Sequence, residues 1–212
     1  MLPDSSSRLA RAGLLTFVVD GLWACVLSIG FYKSTFTRLW QGVASTLLGP
    51  RAFDGGTTTT LIGLVMHLTV AFAWSAVFLM IFDRSPPIRR VVATRYGALK
   101  VAAVYGPLIW MVMSLIVIPL LVHRPPSLTY RWFIQMLGHI PFVGLPIVWS
   151  IGRGYVERKG RLTTLTLLYI AALLQQGDVG IPANFRRVAS LWEPRAQALA
   201  HDLAGRNVQP LA

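Results

Sequence analysis

The chain has 212 residues, of which 54% are hydrophobic and only 13% charged, and its mean hydropathy is +0.57. A soluble domain carries about a quarter charged residues, so this composition excludes an ordinary water-soluble globule. The net charge of +12 sits in short basic runs between apolar segments. That placement suits anionic lipid head groups and leaves no case for nucleic acid as a partner.

Residues 1–13 are short and polar, with Arg8 and Arg11, and lead into a first apolar span at 14–31 whose only charge is Asp20. This start resembles a signal peptide. Asp20 interrupts the apolar stretch, however, and no small-x-small cleavage site follows, so an uncleaved span is expected. Gly21, Ala24, Cys25 and Ser28 form a small-residue strip that would let another helix approach. Cys25 is the only cysteine, so no intramolecular disulfide can form.

Phe36, Leu39, Trp40, Val43 and Leu47 then recur at three- and four-residue intervals, which predicts an amphipathic helix lying at the interface until Gly49-Pro50 ends it. Span 2, residues 61–82, has His67 as its only ionisable side chain. At 1.5 Å per residue it is about 33 Å long, enough to cross a hydrocarbon core of ~30 Å. A basic loop, 83–100, leads to span 3 at 101–122, which is free of charge and holds Pro107 and Pro119. After His123-Arg124-Pro125-Pro126 comes span 4, residues 132–151, with His139, Pro141 and Pro146. The prolines predict kinks. Trp40, Tyr130, Trp132, Trp149 and Tyr155 fall at span ends, as interfacial aromatic belts do.

Fifteen Lys and Arg residues lie in the segments sharing a side with the N-terminus and five in the segments opposite. By the positive-inside rule both termini are cytoplasmic. Residues 162–174 are apolar but too short for an ordinary span; they dock on the bundle, sink into the interface, or form a fifth crossing. Phe185, Val188, Leu191 and Trp192 share one face of a peripheral amphipathic helix. The expected fold is all-α: a four-span bundle over 1–161 with an interfacial helix, and a cytoplasmic helical tail over 162–212.

Three ionisable residues lie inside spans, where a charge costs at least ~2.5 kcal/mol and marks a functional hypothesis. Asp20 is either a carboxylate near the cytoplasmic interface, hydrated or paired with an arginine, or an intramembrane proton relay. His67 and His139 fall at similar depth, ~10 Å below the outer surface, on helices running the same way. On a helical wheel His67 shares its face with Gly63, Ala71 and Trp74, and His139 lies with Gln135 and Phe142. The two rings are therefore expected to face each other as one polar site, able to share a water or a proton, or to ligate haem or a metal. No phosphate loop, G-x-S-x-G, H-E-x-x-H or cysteine pair is present, so no catalytic residue is assigned and no cofactor is required.

His67, Pro119, the Pro125-Pro126 turn, Gly138-His139 and Arg153, together with the stretch 42–56, form a pattern over roughly residues 40–155. In these features the chain resembles YagU-type proteins, small bacterial inner-membrane proteins without an assigned activity. The resemblance implies a fold plan and a compartment, and carries over no catalytic residues.

Three functional classes follow. The first is a non-enzymatic accessory or interaction subunit of a membrane complex, associating through the small-residue strips and the tail in a bilayer with anionic lipids. The second is a small transporter or proton-linked channel using Asp20, His67 and His139. The third is a haem- or metal-binding membrane subunit.

Overall fold

The structure is a computed structural model, and it describes residues 4–126, 128–153, 155, 164, 165, 167 and 198. Among these the chain is helical with no strand. Two compact units divide it, Met1–Val156 and Glu157–Ala212. The helices expected in the tail lie outside the described residues.

Four helices of the first unit are long and apolar enough to cross a membrane: Ser5–Phe31, Gly56–Arg84, Gly97–Val122 and Tyr130–Arg153. The first begins well before the expected residue 14. It consists of α1 (Ser5–Cys25) and a π-helical turn, Val26–Phe31. Arg8 and Arg11 belong inside this helix because buried carbonyls at the end of the fourth span accept their hydrogen bonds.

α2 (Phe36–Leu48) starts at Thr35, whose hydroxyl accepts from the Arg38 amide. Its helical pattern was expected to lie flat at an interface. In the structure Trp40, Gln41 and Ala44 are buried against α3 (Gly56–Arg84), while Phe36 and Leu47 stay exposed. The buried face is thus turned away from part of the apolar stripe, which remains free for lipid. Close approach explains the turn: a Cβ on Gly63 would run into the Trp40 carbonyl, so the α2–α3 crossing requires glycine there.

A short helix, α4 (Pro86–Val92), links α3 to α5 (Gly97–Val112). α5 continues through a π-helical turn, Met113–Val117, into α6 (Ile118–Val122). α7 (Tyr130–His139) likewise passes through a π-helical turn, Ile140–Gly144, before the fourth span ends. Two of the four expected proline disturbances take this form. Pro119 and Pro146 have no N–H to bond residues Leu115 and Phe142 four positions earlier, and both of those residues fall in the widened turns. Pro107 sits in α5 without such a turn.

The apolar core joins α3, α4, α5 and the fourth span through Phe78, Phe82, Val92, Tyr105, Ile147 and Ile151. The Tyr105 hydroxyl donates to the Trp74 carbonyl at 2.7 Å, so this polar tip in the core is satisfied. α5 and the fourth span meet tightly: a Cβ on Gly106 would overlap the His139 carbonyl.

Candidate functional site

α1 presents residues four apart to the bundle, Arg8, Ala12, Thr16 and Asp20, because side chains at that spacing share a helix face. Arg8 closes one end of this row. Its Nε donates to the Ile151 carbonyl at 3.1 Å and its Nη1 to Asp83 Oδ1 at 3.2 Å, while the guanidinium lies 5.2 Å from the Phe82 ring centre. Arg11 Nη2 donates to the Ser150 carbonyl at 2.6 Å. Two arginines of the first span thus hold the last turns of the second and fourth. Further along the row, Thr16 is buried and its hydroxyl has no hydrogen-bond partner.

At the far end of the row Asp20 Oδ2 stands 3.9 Å from His67 Nε2 on α3, with side-chain exposures of 18% and 14%. The same Nε2 is 3.3 Å from the Phe17 carbonyl. A carbonyl oxygen only accepts, so in this contact Nε2 carries the proton. The Phe17 ring, centred 5.4 Å away, and the Trp40 ring, centred 5.1 Å away, enclose the imidazole. Trp40 Nε1 is buried without a partner. Gly21 leaves the room for this closure, since a Cβ there would already touch Trp40 at 3.6 Å and His67 at 3.7 Å. The site is therefore walled by α1, α2 and α3, with α2 supplying its aromatic cover.

His139 belongs to a different cluster. Its Nδ1–H donates to the Gln135 carbonyl at 2.8 Å, and its ring lies 4.9 Å from that of Trp110. Gln135 Oε1 accepts from Trp23 Nε1 at 3.2 Å, and Trp23 stacks on Phe142 at 4.4 Å. α1 thus sends Asp20 to one histidine and Trp23, three residues on, toward the neighbourhood of the other. His67 and His139 each bond a different partner, and no direct hydrogen bond or ring contact joins them.

Of the expected surroundings of Asp20, the partner found among the described residues is a histidine and not an arginine, and Asp20 falls past the midpoint of a helix of 27 residues beginning at Ser5. The Arg8–Asp83 contact escaped the sequence reading although a signal existed. Asp83 follows span 2 at the same end as Arg8 under the positive-inside topology.

Among the described residues no three His, Cys, Asp or Glu side chains gather as a metal site would require. In comparisons with known proteins, no family model, no curated protein and no solved structure matches this chain.

Proposed function

We propose that this is a proton-linked transport protein of a bacterial inner membrane, with both termini in the cytoplasm and no enzymatic role. The observation that carries the reading is the Asp20–His67 contact at 3.9 Å, between two helices of membrane-spanning length. The pair stands beyond direct hydrogen-bond reach, so a bridging water would carry a proton between Asp20 and His67 Nε2: the ion pair keeps the Nε2–H bond to the Phe17 carbonyl and the neutral pair gives it up, and ionisable groups in such positions mark proton pathways. The excess of Lys and Arg beside the N-terminus, in the 83–100 loop and after span 4 supports the orientation and a preference for anionic lipids.

The accessory-subunit reading drew on the Gly21 strip and the tail. Gly21 faces Trp40 and His67 of its own chain, and the tail lies outside the described residues. The haem reading drew on paired histidines, which have separate partners. Kinship with YagU-type proteins remains a proposal supported by the residues that suggested it.

The test is proton flux in proteoliposomes carrying a pH dye. Asp20→Asn should lower the flux by about a hundredfold, the scale of removing a positioned acid or base. Helicity and detergent-solubilised size should stay unchanged. Undiminished flux in this variant, or none in the wild type, sinks the reading.

A further inference from the structure

Away from the Asp20–His67 pair, a cavity of about 430 Å³ opens between α6, residues 124–126 and the start of α7. Its lining holds two cations, Arg124 and Arg131, and no aspartate or glutamate. Arg131 lies 4.1 Å from the centre of the Tyr32 ring, which fixes its guanidinium beside the opening. Two donors in the lining, Trp110 Nε1 and Tyr32 Oη, are buried without a hydrogen-bond partner. Gln135 spends its carbonyl oxygen on Trp23 and keeps its amide N–H groups. Trp132, by contrast, already donates to Ser114 Oγ at 2.9 Å, so its ring serves as wall, with Ile118 and Val122 completing an apolar side.

A buried donor left unpaired is costly, so what this cavity lacks is an acceptor-rich guest. Two guanidinium groups with no neighbouring carboxylate favour an anion, and their planar forks match phosphate and carboxylate. The volume falls in the range of small-molecule sites, about 300–1,000 Å³. We propose that the cavity binds an amphiphilic organic anion. Its phosphate or carboxylate meets Arg124, Arg131 and the free Trp110 and Tyr32 donors, and its apolar part lies against Trp132, Ile118 and Val122. An anionic lipid entering sideways and a small soluble anion present this same chemistry. The proposal goes beyond the proton-linked reading and is tested by binding alone, so it stands or falls independently of flux.

Full-length protein in neutral detergent is titrated calorimetrically with dihexanoyl phosphatidylglycerol and with phenyl phosphate. At least one should saturate at one site per chain; a response to the lipid alone identifies the source as the bilayer, and a response to phenyl phosphate a soluble anion. Arg124→Gln with Arg131→Gln should weaken binding by about tenfold or more, as loss of charge-assisted contacts does. Trp110→Phe keeps an aromatic ring and removes the donor, and should weaken binding by roughly threefold to tenfold. This conservative variant decides the matter if the double arginine variant fails to fold. The proposal is overturned if neither anion saturates, or if dihexanoyl phosphatidylcholine or benzyltrimethylammonium binds as tightly as the anions. Unchanged binding in Trp110→Phe also overturns it.

Discussion

Arg8 and Asp83 show how unequal two partners in one ion pair can be. The Arg8 side chain is 6% exposed and makes three kinds of contact, whereas the Asp83 side chain is 46% exposed. Removing the arginine leaves the Ile151 carbonyl without its donor and strips packing from Phe82. Arg8→Ala should therefore cost about 1–3 kcal/mol, the scale of orphaning a buried polar group. Asp83→Asn removes one half-exposed partner and should cost under about 1 kcal/mol. Thermal unfolding in detergent compares them, and equal losses would contradict the assigned roles. At this scale the sequence made Asp20, His67 and His139 visible, because a titratable group in an apolar run stands out by composition alone. Their partners were not visible. The Asp20–His67 and Trp23–Gln135 contacts depend on how α1 is rotated and how far it extends, which no local pattern encodes.

The element that most needed the structure is α2. Its three- and four-residue periodicity announced a helix, and one stands at Phe36–Leu48. Which face docks was decided by the Gly63 contact with the Trp40 backbone, a distant close approach that overrides the apolar stripe. Gly63→Ala should push α2 away and lift Trp40 from His67, at a cost of about 1–3 kcal/mol for the overpacked contact. The readout is thiol labelling. In a Cys25→Ala background, Ala44→Cys occupies a fully buried position and should resist maleimide. Adding Gly63→Ala should make it reactive, and continued protection would show that α2 does not hinge on this glycine. The prolines were legible as disturbances, but not as π-helical turns, since a kink and a widened turn answer the same missing N–H.

For the whole molecule, hydropathy and length made four helices legible, and each is present and longer than expected, the first and third at their N-terminal ends only and the second and fourth at both. For the first helix the cause is in its contacts: Arg8 and Arg11 donate to the Ile151 and Ser150 carbonyls and Arg8 to Asp83, so polar residues join a helix that a hydropathy window would trim. The basic-residue count predicts that reporters fused after Arg90 and after Arg161 lie in the cytoplasm, and that one placed within 45–54 lies outside. A cytoplasmic signal from 45–54 would reverse the proposed orientation.

The central claim is that Asp20 and His67 handle a proton as one unit, and a flux comparison across four proteins tests it most directly. Wild type, Asp20→Asn, His67→Gln and the double variant are reconstituted at equal density, and proton flux is measured under the same imposed gradient. Groups that act as a unit are non-additive, so each single change should cost about as much as both together, on the order of a hundredfold. Losses that multiply across the double variant would mean that two independent groups carry the protons, and the pairing of Asp20 with His67 would then be structural only.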